Sequence, residues 1–427
     1  MDKLQAARGT FDVLPDEGYP RLRLLRLAEE TLGRAAFGPI ETPIFEATEL
    51  FERGVGETTD VVEKEMFTFE DQGGRSLTLR PEGTAGVCRA YVEHGMHKLP
   101  QPVKLWYWGP FFRYEAPQAG RYRQFTQVGI EAIGSDHPSL DAEAILLLAE
   151  LLERVGTRGV RLRISSLGTP ETRRAYSDEL REHLRAREAQ LSDDVRARLD
   201  RNPLRAFDSD HPGTLAALKD APRLIDRLAP EDAHHFAEVR ALLDAAGQEY
   251  VVDGTLVRGL DYYTRTVFEF ESSALGAQSA RGGGGRYDRL VERLGGPPTP
   301  GVGWAAGVER ILLAAGDQDA QQRRGTAEAA ASKGGQQRRG VYVALAEPER
   351  IHEGFALTRE LRARDVIANI EQAGRSLKGQ LKHADRVGAK YVVILGDGIE
   401  IKDMATGQQV TAASVKEALD VVTAERP

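Results

Sequence analysis

Between Tyr107 and Glu131 the chain reads YWGPFFRYEAPQAGRYRQFTQVGIE, two alternating runs around a polar stretch, which predicts a β-hairpin with its loop at Ala116–Tyr122. Side chains alternate across a strand, so Phe111, Arg113 and Glu115 share one face while Phe112 and Tyr114 take the other. On the return strand Arg123, Phe125, Gln127, Gly129 and Glu131 fall together, opposite Thr126, Val128 and Ile130. One face is oily, and the other carries guanidinium and carboxylate groups around an aromatic ring. A plain half-buried hairpin alternates too, but any polar residue would serve its wet side, whereas here Arg and Glu recur. Arg offers a planar fork matched to phosphate oxygens, and aromatic faces stack on bases, so this face suits a nucleotide.

Other stretches change period. Leu22, Leu25 and Leu32 predict an amphipathic helix over Glu17–Ala36, with Pro20 near its start and Gly38 past its end. FGPIETPIFEATELF follows, and Pro43 on a strand implies an edge or a bulge. Ser76–Arg80 alternates as a strand that Pro81 stops, and Thr84 opens a helix. RPEGTA thus sets Glu82 at a strand end with Thr84 beside it, and a helix-capping turn is the bland account of that pattern. Leu140, Ala144, Leu147, Leu148, Leu151 and Val155 mark one face of a helix closed by Gly156, and Val160, Leu162 and Ile164 then alternate with Arg161 and Arg163 as a strand. Gly168–Gly247, rich in Arg, Glu, Leu and Ala, keeps helical spacing without strand alternation and predicts a helical insertion.

VVDGTLVRGLDYYTRTVFEFES restores alternation, Phe268 and Phe270 against Val267, Glu269 and Glu271. RGGGGRYDRL, from Arg281, lacks the Lys and Ser/Thr of a P-loop and reads as a glycine run bending a strand. GVGWAAGVERILLA, from Gly301, predicts a strand leading into a helix that carries Arg310, with glycine spacing unlike a dinucleotide fingerprint. Gly316–Gly340 holds two QQRRG copies and little to bury, and predicts a linker. Beyond it GVYVALAE, DVIANIEQ and YVVILGDG are apolar strands separated by helical stretches, one opened by Pro348 and one spanning Leu377–Val387. They predict a compact α/β domain with a partly parallel sheet.

A chain of 427 residues, 41% apolar and 29% charged, has room for two or three ordinary cores. It has no apolar run of about 18 residues, and MDKLQAARGTFD lacks the core of a signal peptide, so the expected location is cytoplasmic, away from membranes. Cys88 stands alone, which excludes an internal disulfide and any multi-cysteine zinc site. The pairs His94/His97 and His234/His235 read as solvated helix positions rather than metal ligands. A net charge of −8 argues against a protein that coats nucleic acid indiscriminately, while leaving room for local basic surfaces that meet one RNA.

FRYE followed by GRYRQF resembles motif 2 of the class II aminoacyl-tRNA synthetases, and QVGIE and RGLDYYT resemble the histidyl-tRNA synthetases among them. FGPIETPIFEATELF is similar to motif 1, which in that class builds a dimer interface, and GVGWAAGVERILLA to motif 3. The end of the chain resembles the class IIa anticodon-binding domain, so the likeness spans nearly everything except the linker. It implies an α+β fold: an antiparallel-sheet catalytic core (1–167 and 248–320), a helical insertion (168–247) that clasps the tRNA acceptor arm, a linker (321–339) and an anticodon-binding domain (340–427). From composition alone the insertion suits a solvated structural element equally well.

The resemblance also implies a reaction, formation of histidyl-adenylate from L-histidine and ATP and transfer of histidine to the 3′ end of tRNA(His), by a homodimer. Glu82 and Thr84 are then assigned to the α-ammonium group, with Gln127 in the same histidine pocket. Glu131 and Tyr263 are candidates for the imidazole nitrogens and Tyr262 for lining the ring; spacing leaves open which tyrosine makes the hydrogen bond. Arg113 and Arg258 fall to the α-phosphate, where Arg258 stands in for a metal, and Arg121 and Arg310 to the outer phosphates. Glu115 is assigned near the adenine amino group, and Phe125 with Arg310 to either side of the base. Gln118 and Arg123 are candidates for the tRNA acceptor end. Mg²⁺ is expected to travel on ATP oxygens, with few protein ligands. The rival reading is a histidine-binding regulatory paralogue of ATP phosphoribosyltransferase, which need not keep Arg113, Arg121, Arg258 and Arg310; activation of another amino acid is opposed by RGLDYYT.

Overall fold

The structure is a computed structural model that describes residues 3–56, 59–115, 121–157, 159–257, 259–272, 280–315 and 338–423. The chain divides into two compact units, Met1–Asp319 and Ala320–Pro427.

The first unit opens with α1 (Pro15–Arg34) and continues through β1 (Gly38–Pro39), β2 (Phe45–Ala47), α2 (Thr48–Val55), β3 (Phe67–Glu70), β4 (Ser76–Leu79) and α3 (Thr84–Glu93). The hairpin strands β5 (Val103–Phe112) and β6 (Gln124–Ile133) come next, then α4 (Pro138–Val155) and β7 (Val160–Ser166). A helical stretch carries α5 (Pro170–Arg185), α6 (Asp193–Arg198), α7 (Pro212–Leu218) and α8 (Pro230–Ala245). The chain returns to the sheet with β8 (Val251–Val252), β9 (Thr264–Ser272), β10 (Ala280–Arg286) and β11 (Gly301–Gly307), and a helix follows over 308–315.

Eight strands form one sheet in the order β1-β5-β6-β11-β10-β9-β7-β8, antiparallel throughout except for its two short, parallel edge strands. A smaller antiparallel sheet, β2-β4-β3, stands apart from it. Alternation decides the large sheet's two faces. Val128, Ile130, Phe268, Phe270 and Trp304 turn to one side, where α1, α4 and α8 cover them with Leu24, Leu32, Leu148, Leu151, Phe236 and Leu243. Each large apolar side chain fully removed from water there contributes about 1.5–3 kcal/mol. On the other side lie Tyr107, Phe111, Tyr262, Tyr263 and Tyr287, against Val87, Cys88 and Tyr91 of α3.

The run GGGG falls within β10, in the middle of the sheet. A Cβ at Gly284 would stand 1.9 Å from the Gly303 carbonyl oxygen and 2.6 Å from Trp304 Cα, so the strands approach as they do only because a side chain is missing.

Three details depart from the sequence reading. Leu22 is 52% exposed, and the buried stripe of α1 is Leu24, Ala28, Thr31 and Leu32, so the face turned to the sheet is not the one that Leu22 marks. Pro43 precedes β2 rather than occupying a strand; the proline that does sit in an edge strand is Pro39. His235 is no solvated histidine: it is buried against α4, with Nε2 at 3.2 Å from the Asp136 carbonyl and 3.8 Å from Asp141. There Asp141 and Arg286, both wholly buried, form an ion pair across the helix–sheet boundary.

The second unit is a five-stranded sheet of β12 (Val341–Leu345), β13 (Ala368–Ile370), β14 (Tyr391–Leu395), β15 (Ile399–Asp403) and β16 (Gln409–Ala412). Its order is β13-β12-β14-β15-β16, parallel across the first three and antiparallel beyond, and the helices Ile351–Ala363 and Leu377–Arg386 form the crossovers. Among the described residues no helix is long and apolar enough to cross a membrane.

Candidate active site

The hairpin pairs in register, Phe111 with Phe125, Gly109 with Gln127, Tyr107 with Gly129 and Leu105 with Glu131. This register raises one row of side chains over the sheet, and a cleft of about 370 Å³ opens above it. Its wall holds Glu82 and Thr84 from the start of α3, Arg113, Glu115, Arg121, Phe125 and Gln127 from the hairpin, Tyr262 and Tyr263, and Arg310. Glycines 282 and 283 form part of the floor. Residues more than two hundred positions apart in the chain therefore meet, and ten of the sequence-derived candidates share one cavity.

Glu82 caps a helix and also faces the cleft. Its carboxylate accepts from the Thr84 and Ala85 backbone amides at 2.8 Å each, capping α3, and it still lines the cleft beside the Thr84 hydroxyl. Burial pushes its pKa up, against the pull of the two amides. The Tyr262 hydroxyl donates at 3.3 Å to Thr84 Oγ1 and at 3.4 Å to Glu82 Oε2. Gln127 presents a buried Oε1 that meets no donor. An acceptor stripped of water without a partner costs about 1–3 kcal/mol, and a cationic ligand in the cleft would relieve it.

Glu131 lies one layer lower than its assignment implies. It is wholly buried and is not part of the cleft wall. Oε1 accepts from Thr84 Oγ1 at 2.8 Å and from the Tyr107 hydroxyl at 3.4 Å, and Oε2 accepts from the Tyr287 hydroxyl at 2.5 Å. Gly303 makes the room, since a Cβ there would fall 2.0 Å from Glu131 Oε2. Burial raises the Glu131 pKa to about 8, although its hydroxyl donors favour the charged form.

On the hairpin, Arg113 Nε donates to the Pro81 carbonyl at 2.8 Å, and the guanidinium stands 5.6 Å from the Phe125 ring centroid. Glu115 lies 3.9 Å from Arg113 and 3.6 Å from Arg121, which spaces the two cations along the wall. Arg123 does not join them. It stacks 3.7 Å over the Tyr114 ring, and its stem packs on Gly9, because the chain has left the strand by this point and parity no longer governs it. Arg258 and Gln118 lie outside the described residues, as do residues 316–337, which hold most of the expected linker.

Sequence reasoning overlooked Tyr107, Tyr287 and Glu309. Tyr107 shares the parity of Phe111 and was legible on that ground. Tyr287 ends the RGGGGRY run, where the glycines drew attention away from it. Glu309, next to Arg310, accepts from the Thr126 amide at 3.1 Å and pairs with Arg21 of α1 at 2.5 Å, a contact across 288 positions that no local pattern announces.

A mainly antiparallel sheet that floors a nucleotide-sized cleft, entered by an arginine-bearing hairpin and a strand-to-helix arginine, defines the catalytic core of a class II aminoacyl-tRNA synthetase. Residues 9–311 match the model of the histidyl-tRNA synthetase family, and 341–425 that of an anticodon-binding domain. The chain is 46% identical over 413 residues, 95% of its length and 94% of the relative's, to the histidine–tRNA ligase of Thermosynechococcus vestitus. It superposes on the crystal structure of apo S. aureus histidyl-tRNA synthetase with a TM-score of 0.78 at 33% identity, covering 98% of this chain and 99% of that one. The chain belongs to the histidyl-tRNA synthetase family.

A structure described as an ATP phosphoribosyltransferase regulatory subunit/histidyl-tRNA synthetase, from Bacillus halodurans C, shares the fold, with a TM-score of 0.66 at 23% identity, 92% of this chain and 98% of that one. Fold alone therefore does not separate the two readings; identity along the whole chain favours the ligase.

Proposed function

We propose that this chain activates L-histidine with ATP and transfers the histidyl group to tRNA(His), using the cleft between the hairpin and Tyr262–Tyr263. The observation that carries this reading is the make-up of the cleft: one cavity gathers the acceptors Glu82, Thr84 and Gln127, the guanidinium groups of Arg113, Arg121 and Arg310, and the rings of Phe125, Tyr262 and Tyr263. An amino acid brings an ammonium group and ATP brings phosphates, so both substrates find partners of opposite charge in this cavity.

Glu82, Thr84 and the unpaired Gln127 oxygen receive the α-ammonium group. Tyr262 and Tyr263 line the imidazole. Glu131 acts from beneath, through the hydroxyls of Thr84 and Tyr107 or on the ring directly once either hydroxyl swings aside. The histidine carboxylate, ionised at neutral pH, attacks the α-phosphorus in line. A C–O–P bond forms, the bond to the bridging oxygen breaks and pyrophosphate leaves, with no general base required. What the protein adds is positive charge where negative charge develops, a role assigned to Arg113 and Arg258. Arg121 and Arg310 hold the outer phosphates, Phe125 and Arg310 flank adenine, and Glu115 meets its amino group. In the second step the terminal hydroxyl of the tRNA attacks the activated carbonyl and AMP leaves.

Mg²⁺ enters as part of the substrate, on ATP. The hairpin loop, with Gln118, meets the acceptor end. The second unit reads the anticodon, in line with its family match. Two copies pair through the small sheet, where exposed Ile44, Phe45 and Phe69 invite burial, and the enzyme works in the cytoplasm.

Arg258→Ala tests the chemistry. Calorimetry should show histidine still binding while histidine-dependent pyrophosphate exchange collapses; an undiminished exchange rate would remove Arg258 from the reaction.

A further inference from the structure

The segment that carries Tyr262 and Tyr263 is held by supports that lie outside the cleft. On one side the Asp261 amide donates to the Val55 carbonyl at 3.1 Å, and Gly56, with φ +108°, lies so close to Asp261 that a Cβ there would be 2.9 Å from it. On the other side Arg173 of α5 points back at the segment. Its Nη1 donates to the Tyr263 carbonyl at 2.7 Å and its Nη2 to the Asp261 carbonyl at 3.5 Å. Arg173 is absent from the wall of the substrate cleft and instead lines a separate cavity of about 400 Å³ behind the segment.

The base of the helical stretch fixes where Arg173 stands. Asp232, buried in the first turn of α8, accepts from the Thr169 amide at the start of α5 and from Arg265 Nε, each at 2.9 Å. Arg265 follows the tyrosines by two positions, and its backbone, at φ +46°, is exchanged with Leu167 and Gly168 through bonds of 2.7 and 2.8 Å. The tyrosine pair is thus gripped at its carbonyl side by Arg173 and at its exit by Arg265, both anchored in the helical stretch.

We infer that Arg173 is a positioning residue for the amino-acid pocket, an arginine that does not meet substrate but sets the height of Tyr262 and Tyr263 and ties it to the helices α5 and α8. A hydrogen bond from a charged donor is among the stronger ones available to a loop carbonyl. Its loss leaves the tyrosine segment free to shift by amounts that matter for binding geometry. The inference rests on the histidine-activation reading.

The test compares Arg173→Met, which keeps the apolar stem and removes every donor, with Arg173→Lys, which restores one. In pyrophosphate exchange the Met variant should raise the KM for histidine roughly tenfold, the effect of losing about one charged hydrogen bond. The KM for ATP and the thermal midpoint should stay near the wild-type values, and the Lys variant should recover part of the histidine KM. An unchanged histidine KM would overturn the inference. So would a uniform loss, with both KM values and the thermal midpoint moving together, since that marks support of the fold alone. The wild-type reaction separates the two readings: if it takes another amino acid, the histidine assignment fails and Arg173 is judged by the KM of that amino acid instead.

Discussion

Glu131→Gln isolates the cost of one buried carboxyl. The group is wholly enclosed, and burial lifts its pKa from 4.5 to about 8. The unfolded chain releases this proton near 4.5, whereas the folded chain keeps it until about pH 8. Across that window the folded state binds more protons, so stability falls as pH rises. The slope is about 1.4 kcal/mol per pH unit, which from 4.5 to about pH 7 amounts to roughly 3 kcal/mol. Glutamine keeps the shape and does not titrate. It carries a fixed penalty wherever its amide suits Tyr287, Thr84 and Tyr107 less well, but that penalty does not vary with pH. Urea unfolding of both proteins from about pH 5 to about pH 8 should show the gap moving in the variant's favour. The gain should be roughly 3 kcal/mol by neutrality, less the small part already present at about pH 5. Parallel curves would refute the reasoning, because they would mean that Glu131 ionises as freely in the folded chain as in the unfolded one.

Three further outcomes follow from named contacts. Arg113→Met should slow pyrophosphate exchange by about 10²–10³-fold, the usual loss when one charge-stabilising donor is removed, as single-turnover kinetics would show. Gln127→Met removes a buried acceptor that lacks a donor, so thermal melts should show stability unchanged or raised by about 1 kcal/mol while the KM for histidine increases. Asp141→Asn removes the closer of the two carboxylates paired with buried Arg286 and leaves only Asp288 at 3.3 Å, which should cost up to about 3–5 kcal/mol in denaturant unfolding, with little effect on the KM values of the protein that remains folded.

The hairpin was legible because its alternation is strict and its polar face repeats Arg and Glu, so parity put Arg113, Phe125 and Gln127 on the face that lines the cleft, while their roles came from the resemblance. The same parity named Glu131 without giving its depth. Whether a side chain on the polar face reaches the cleft depends on what packs above it, here Thr84 and Tyr107, which come from other elements. Arg123 shows the opposite limit, since alternation extended past the strand's end misassigns a side chain that the loop has turned toward Tyr114. Long-range pairs such as Arg21–Glu309 and Asp141–Arg286 leave no periodic trace, because each partner alone looks like an ordinary helix or strand residue. His235 misled for the same reason: burial by a helix from far along the chain is a tertiary fact.

Pyrophosphate exchange run with each of the standard amino acids in turn tests the central claim most directly. Histidine alone should support exchange, and the same preparation should then charge tRNA(His) with it. Exchange driven by another amino acid, or none with histidine despite its binding, would contradict the account of the cleft.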